Sequence, residues 1–508
     1  MVESTTKKGL LTATAGVTII MVLGYFLSFV KEAVIANYFG VSAAVDAYTI
    51  AIQIPVLLFS FVSVAVQSVV IPIYSDILIN KGKPQADHYI HNLISLLLII
   101  TTTIVIIGEF AASLLVYLFS PGFSPETHSL CVGLLRVSFP TLILSVISQV
   151  LVAVLNVHKK FVWPSFAVYF LNIGIIGLVV LMHSSMGILS ACFGQLLGEG
   201  MRCLFLVLLA SSVYHFRFIF HVKNDEVKQT LKMSIPVLWS ISIAEVNAMV
   251  NRMVASFLFV GSIAALTYAN KISSVLMQLF VSAITTVVYP LYAESSANKD
   301  IGQLNNRINL TLAAYSLFVV PLMAGILVFK REIIEVAFAR GAFNLEAVEL
   351  TQSILGWYTV GLLFMSFRNT LTNVFYSMKD TKMPAVNATI GVVINIVLNL
   401  TLPFVMGVQG LALATSISAI IITMRLMILL TKKHCELRLN GLFSNMKGII
   451  VSSLVMFIVT YAFRFYVSID SSLVILLLGS FIGVIVYFVM ILIMRVPIFG
   501  YMLSMIKK

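Results

Sequence analysis

Long apolar runs joined by short polar connections dominate the chain. Runs long enough to cross a hydrocarbon core of about 30 Å as a helix, about 20 residues, lie near 10–30, 45–74, 90–119, 130–157, 162–183, 187–213, 232–259, 263–292, 308–329, 351–378, 384–406, 409–431, 448–467 and 472–494. They are apolar throughout, without the two-residue alternation of barrel strands, so backbone groups in lipid have to be satisfied inside helices. The pattern predicts an all-α polytopic membrane protein with 14 transmembrane helices. Lys7 and Lys8 precede the first run as in a signal peptide. That run is long, lacks a small-residue cleavage pattern and leads into further spans, so a first spanning helix is expected.

Composition narrows the class. Of the 508 residues 60% are hydrophobic and 10% charged, and mean hydropathy is +1.05. A soluble domain carries about 25% charged residues to solvate its surface. A soluble enzyme, a secreted disulfide scaffold and a disordered chain are therefore excluded. The net charge of +12 reads as topology rather than nucleic-acid affinity. With fourteen spans, 21 of the 32 Lys and Arg fall on the side that holds both termini and five on the other. The positive-inside bias makes that side the cytoplasm. Cys131, Cys192, Cys203 and Cys435 lack metal-ligand spacing and are expected to be small buried hydrophobes.

The chain also resembles itself at an offset of about 220. The stretch from Ile54, IPVLLFSFVSVAVQSVVIPIYSD, matches that from Ile272, ISSVLMQLFVSAITTVVYPLYAE, pairing Pro72 with Pro290 and Asp76 with Glu294. LFSPGFSPETHSL from Leu118 matches AFARGAFNLEAVEL from Ala337, pairing Gly122 with Gly341. LNVHKKFVWPSF from Leu155 matches FYSMKDTKMPAV from Phe375, pairing Pro164 with Pro384. An even number of spans per repeat inserts both halves the same way up, giving two parallel six-helix repeats. Residues 1–215 would hold helices 1–6, residues 216–435 helices 7–12, and residues 436–508 two appended helices. In transporters of this kind the site lies between the repeats and access alternates by rocking.

A charge at mid-bilayer costs about 2.5–3.5 kcal/mol on insertion scales, so one retained there faces a cavity or a partner. The first two helices of each half carry the informative ones. Lys31 and Glu32 close helix 1; Asp46 opens helix 2, which also carries Gln53; Glu245, Asn251 and Arg252 lie on helix 7 and Lys271 on helix 8. Aligning Gly40 with Gly261 pairs Lys31 with Arg252. A cationic site with acidic partners suits an anionic headgroup such as a diphosphate; the alternative is that Lys31, Glu32 and Asp46 snorkel at the outer boundary. Glu199 and Arg202, three residues apart, are expected to pair on one helix. Arg136 and Arg425 are expected to snorkel, Arg368 to be a packing residue, and Asn395 and Asn399 to bond between helices.

Catalytic signatures are missing: the sequence has no G-x-x-x-x-G-K-[ST], no H-E-x-x-H and no G-x-S-x-G. The histidines lack metal spacing, and no loop is long enough for a nucleotide-binding domain. The expectation is a non-enzyme without cofactor, driven by membrane potential, an ion gradient or the substrate's own gradient.

VLGYFLSFVKEAVIANYFG with AVDAYTIAIQIP from Ala44 resembles the opening of the MurJ/MviN lipid II flippases. So do VIPIYSD, NRMVASFLFVGSIAALTYANKI from Asn251, the FARGAF loop at Phe338 to Phe343, and FYSMKDTKMPA from Phe375. The resemblance covers helices 1 to 12. It implies the multidrug/oligosaccharidyl-lipid/polysaccharide exporter fold, with two six-helix lobes around a cavity lined by helices 1, 2, 7 and 8 and a lipid-tail groove from the last two helices. The family's cavity arginines fall on Lys31 and Lys271, and its helix 2 acid on Asp46. Two other family arginine positions hold Tyr25 and Phe59. Lys in place of Arg keeps the charge but loses bidentate phosphate geometry, for which Arg252 compensates.

The resemblance implies a flippase carrying lipid II, or another undecaprenyl-diphosphate-linked saccharide, to the outer leaflet of a bacterial cytoplasmic membrane for peptidoglycan synthesis and cell shape. Membrane lipids and wall-synthesis enzymes would be its partners, nucleic acid would not, and it would act as a monomer. A drug/cation antiporter of the same superfamily would need an acidic site, and a non-transporting scaffold would need a larger cytoplasmic docking region than 214–231 offers.

Overall fold

The computed structural model describes residues 2–219, 225–433, 439–467 and 469–506, and every regular element among them is helical. The chain forms two compact units, Met1–Ala264 and Ala265–Lys508. Among the described residues twelve helices are long and apolar enough to cross a membrane. The seventh and eighth expected spans, outside those twelve, are also continuous helices, of 32 and 36 residues.

In the first unit α1 (Val2–Phe39) stops at Gly40, whose φ of 61° is left-handed. Ser42 then caps α2 (Ala43–Ala65) by accepting from the Val45 amide at 3.5 Å. The second expected span runs on through a π-turn, Val66–Val70, into α3 (Ile71–Asn80). Pro72 has no N–H for the i→i−4 ladder there, so the helix shifts its pairing across the gap. The helix α4 (Lys83–Phe119) has 37 residues, about 55 Å at 1.5 Å per residue. Some of its turns therefore stand clear of the hydrocarbon. The fourth span is two helices, α5 (Pro125–Ser138) and α6 (Thr141–Val157), interrupted at Pro140. After the short α7 (Val162–Phe166), α8 (Val168–Met186) packs tightly on α9 (Leu189–Ala210). A Cβ on Gly194 would lie 2.7 Å from the Ile175 Cα, and one on Gly198 would lie 2.8 Å from the Leu171 Cα. This is a small-xxx-small seam: lipid gives apolar side chains no drive to associate, so close backbone approach supplies the attraction.

The end of this unit that holds the start of α4 is polar and pinned. The last helix, α10 (Asp225–Ser256), packs on α2 and α4. The Tyr89 and Thr230 hydroxyls share a buried bond of 2.8 Å, and Lys81 pairs with Glu226 at 2.8 Å. Segment 211–219 lies along α4: the Arg217 amide donates to His91 Nδ1 at 3.2 Å, and the Ile219 amide donates to Ser95 Oγ at 3.1 Å. Because a backbone N–H can only donate, His91 Nδ1 is the acceptor, and it takes the Tyr214 hydroxyl as well, at 2.7 Å.

The second unit begins in the first turn of α11 (Ser262–Ala297) and continues through α12 (Ile301–Phe338), α13 (Leu345–Ser377), α14 (Lys382–Asn399), the one-turn α15 (Pro403–Met406) and α16 (Gln409–Lys433). The hairpin of α17 (Asn440–Tyr466) and α18 (Ser472–Ile493) lies against α12, and α19 (Pro497–Ile506) ends the described chain. Three ties along α12 hold that hairpin. At one end Asn309 Oδ1 accepts from the Leu442 amide at 3.1 Å. In the middle the Tyr487 hydroxyl donates to the Leu317 carbonyl at 2.7 Å. Pro321 is the residue whose N–H would have served that carbonyl, so the tyrosine fills a vacancy the proline creates. At the other end Arg464 Nε donates to Glu332 Oε1 at 2.7 Å and the Ser472 hydroxyl donates to Glu335. Helix α12 kinks at Phe329, whose ring fits the space left by Gly479.

The interior polar residues sort as follows. Glu199 and Arg202 pair at 3.1 Å, and Cys131, Cys192 and Cys203 are buried and free; Cys435 lies outside the described residues. Arg136 stays exposed and approaches Glu109 only to 3.9 Å. Arg425 Nη1 donates to Asn387 Oδ1 at 2.8 Å, while Asn387 Nδ2 donates to the Ile422 carbonyl at 2.9 Å. Asn395 and Asn399 bond to each other along α14 at 2.9 Å, since their spacing of four places them on one face. Asn387 ties α14 to α16, as does the Ser418 hydroxyl, which donates to the Gly391 carbonyl at 2.8 Å.

The same turn conformations recur about 220 residues apart. Gly40 and Gly261, Lys159 and Lys379, and Gly187 and Gly407 all have positive φ. The Lys160 amide donates to the Leu155 carbonyl as the Asp380 amide does to that of Phe375.

Candidate functional site

Seven of the eight candidate residues lie in the first unit and Lys271 in the second. In the first unit, α2 carries Asp46 and Gln53 seven residues apart, two turns along one face. Both α1 and α10 pack on α2, so α2 is the common wall for the charges at the end of α1 and those along α10.

Lys31 and Glu32 form an ion pair at 2.8 Å, each side chain only 13% exposed. The pair is thus largely withdrawn from water rather than extended into it. Two desolvated opposite charges hold each other in place, and an incoming anion would compete with Glu32 for the ammonium. On α10, Glu245 and Arg252 are also seven residues apart, and both are partly buried. Arg252 Nη1 reaches back to the Ala248 carbonyl at 3.4 Å. Asn251 and Gln53 are partly buried as well, and Gln53 and Glu245 have no hydrogen-bond or ion-pair partner among the described residues. Asn247 Oδ1 is buried without a partner, which marks this stretch of α10 as unusually polar for a span.

Asp46 is different in kind. It is 4% exposed, and its two oxygens accept from the Gly261 amide at 2.6 Å and the Ala264 amide at 2.7 Å. These are the free amides at the start of α11, where a carboxylate also meets the positive end of the helix dipole. Gly261 has φ 90°, and a Cβ there would lie 2.4 Å from Val41 Cγ1, so only glycine fits. Asp46 therefore fastens the α10–α11 turn to the start of α2. Its carboxylate is occupied by backbone rather than presented to a ligand.

In the second unit Lys271 sits in the third turn of α11 and is partly buried. One cation was passed over in the sequence. Arg368 on α13 is exposed and has no hydrogen-bond or ion-pair partner among the described residues, so it is not a packing residue. The packing face of α13 is formed by Leu363, Ser366, Phe367, Thr370, Leu371 and Val374, all buried. Arg368 stands off that face, and a 3.6-residue reading of the span would have shown it.

Outside the spans, Glu226 is held below the usual carboxylate range, chiefly by its hydrogen bond from Lys81. Burial pushes the Tyr214 phenol up. The histidines, cysteines and carboxylates form no cluster able to hold a metal ion among the described residues.

A helical bundle with charges on α1, α2, α10 and α11 has counterparts of known sequence and structure. The family described as "Lipid II flippase MurJ" matches residues 35–494. The lipid II flippase MurJ of Thermosipho africanus (strain TCF52B) is 30% identical over 401 residues, covering 79% of this chain and 80% of the relative. A solved structure described as lipid II flippase MurJ in an inward closed conformation superposes with a TM-score of 0.82 at 28% identity, covering 94% of this chain and 98% of that one. An inward-facing multidrug resistance MATE family transporter of the MOP superfamily matches at TM-score 0.68 but 16% identity, over 83% of this chain and all of its own length. At that identity the second likeness concerns the fold alone. The family match spans nearly the whole membrane region, from the end of α1 to the end of α18, and the chain belongs to the lipid II flippase MurJ family.

Proposed function

We propose that this chain moves lipid II, an undecaprenyl-diphosphate-linked cell-wall precursor, from the cytoplasmic to the outer leaflet by alternating access, for peptidoglycan synthesis. The observation that carries this reading is family membership along almost the full chain, together with the 28% identical solved flippase covering 94% of it. In this reading Lys31, Arg252 and Lys271 hold the diphosphate. Glu32 and Glu245 keep those cations oriented between cycles, and Gln53 and Asn251 donate to the saccharide. Asp46 sets the start of the helix that carries Lys271.

The proposed topology has fourteen spans in two parallel six-helix repeats plus the hairpin of α17 and α18, with both termini in the cytoplasm. The turns that recur about 220 residues apart support the repeats, and the siting of 21 cations on one side supports the orientation. We assign the driving force to membrane potential or an ion gradient, the working unit to a monomer and its partners to wall-synthesis enzymes.

One observation favours a second substrate. Tyr25 and Phe59 stand where the family resemblance implies arginines, so fewer cations meet the headgroup, which suits a different undecaprenyl-linked saccharide. The test is rescue of a bacterium depleted of its own lipid II flippase. Rescue by the wild type and failure by a stably inserted Lys271→Ala variant is the expected outcome. Full rescue by Lys271→Ala would overturn the role given to that residue. Failure of the wild type would overturn lipid II as the substrate and leave the other saccharide.

A further inference from the structure

The positive-φ positions between helices in this protein hold either glycine or a basic residue among the described residues. Every non-glycine residue with positive φ among the described residues is basic: Lys159 at 59°, Lys299 at 56°, Lys379 at 60° and Arg495 at 48°. Each occupies the same position in the same motif. Its own amide donates three residues back, to Asn156, Ser296, Tyr376 and Leu492 respectively. The next amide donates five residues back, from Lys160 to Leu155, Asp300 to Ser295, Asp380 to Phe375 and Val496 to Ile491. These are four Schellman caps, a motif whose left-handed position is normally glycine. An L-residue is disfavoured there by about five- to thirtyfold, because its Cβ crowds the following carbonyl.

The fourteen-span topology proposed above puts all four on the cytoplasmic side. In that topology the positive-φ glycines Gly40, Gly187, Gly261, Gly341 and Gly407 lie on the outer side and Gly82 on the cytoplasmic side. Within the second unit, side-chain bonds place three of the four at one end. Ser296 and Ser377 bond at 2.9 Å, Asn309 holds Leu442, and Asn445 Oδ1 accepts from the Ile498 amide at 2.7 Å. All four side chains are exposed, and none has a hydrogen-bond or ion-pair partner among the described residues. Neighbouring Lys160, by contrast, donates to Ser212 Oγ at 2.6 Å.

We propose that Lys159, Lys299, Lys379 and Arg495 are headgroup anchors that bind anionic phospholipids of the cytoplasmic leaflet. A left-handed cap ends an apolar helix at the lipid–water boundary and turns the side chain away from the helix it terminates, into the layer where phosphates stand. Charge complementarity selects the occupant, since the inner leaflet is anionic and draws Lys and Arg near its surface. The four cations end four different helices. Attraction of a cation to the negative end of its helix is the competing explanation, and it does not depend on which lipid surrounds the protein.

The test exploits Trp163, four residues beyond Lys159 and 60% exposed. The full chain is reconstituted in vesicles, and Trp163 fluorescence, in a background with Trp239 and Trp357 changed to Phe, is quenched by brominated phosphatidylglycerol or brominated phosphatidylcholine. Asn tolerates the left-handed region without a charge, so Lys159→Asn keeps the turn. The expected result is a fall of about fivefold in the preference for the anionic lipid, the attraction of one cation near such a surface, with Lys159→Arg like wild type. For the fourfold Asn variant, the thermal midpoint should drop in anionic vesicles and stay unchanged in phosphatidylcholine. An unchanged preference at Trp163, or an equal loss of stability in both lipids, would overturn the proposal. Labelling of Lys159→Cys from the outside alone would overturn the topology on which it rests, whatever the quenching shows.

Discussion

The bond between Tyr487 and the Leu317 carbonyl admits a quantitative test. Tyr487 is 4% exposed and its hydroxyl lies 2.7 Å from that carbonyl. Pro321 cannot supply the helical donor, so Tyr487→Phe leaves a buried carbonyl without this partner. Removing one partner of a buried bond costs about 1–3 kcal/mol in water-soluble proteins. Hydrogen bonds between membrane helices average nearer 0.6 kcal/mol and reach about 1.7 kcal/mol, because unfolded states in lipid also find partners. An orphaned carbonyl belongs at the upper end of that range, so the expected loss is about 1–1.5 kcal/mol. Pro321→Ala restores an amide at the position that serves Leu317. In that background Tyr487→Phe should cost no more than a few tenths of a kcal/mol. The assay is reversible unfolding in mixed micelles by titration with a denaturing detergent, with all four members of the cycle measured together. An equal cost of Tyr487→Phe in both backgrounds would refute the reasoning, since the hydroxyl would then be acting through something other than the Leu317 carbonyl.

Further outcomes follow from other contacts. Gly198→Leu would drive a side chain into the α9–α8 seam, where even a Cβ meets Leu171 at 2.8 Å; a loss of at least about 1–3 kcal/mol is expected, read in the same unfolding assay. Arg464→Ala would strip the partner from Glu332, whose side chain is 5% exposed while that of Arg464 is 35% exposed. Breaking a fully buried pair costs about 3–5 kcal/mol, and solvent at the arginine brings the expectation to about 2–3 kcal/mol; Arg464→Ala combined with Glu332→Gln should recover most of it. Glu226 is held below its ordinary value by Lys81, so the stability from that pair is present above the ordinary carboxylate range and is lost as pH falls through the folded-state value. Wild type and Lys81→Ala should therefore differ in thermal midpoint near neutral pH and converge in acid; a constant difference across that window would contradict the pairing.

Much of this architecture was legible along the chain because lipid is an exacting solvent. A backbone in hydrocarbon has to satisfy its own polar groups within about 20 residues, so each expected span could be read locally and each is helical here. The π-turn before Pro72 and the interruption at Pro140 follow from a missing N–H and are equally local in origin. The pairing of Glu199 with Arg202 needed only the helical repeat. Family membership came from motifs such as VIPIYSD and YANKI, which do not depend on knowing what they touch.

The partner of each polar side chain was a different matter. Asp46 looked like a ligand for substrate, and its oxygens are held by amides 215 and 218 residues away. Arg464 and Glu332 are 132 residues apart, and Tyr487 reaches a carbonyl 170 residues earlier. Arg425 bonds to Asn387, 38 residues earlier, while Arg368 is left exposed. Hydropathy and helical period constrain neighbours within a few turns, whereas these contacts depend on which helices lie side by side and at what height. The sequence by itself determined that the chain is a bundle of membrane helices. Only the tertiary structure decided which buried charges are spent on holding the helices and which remain open to a ligand, because a buried polar group is defined by the partner that reaches it.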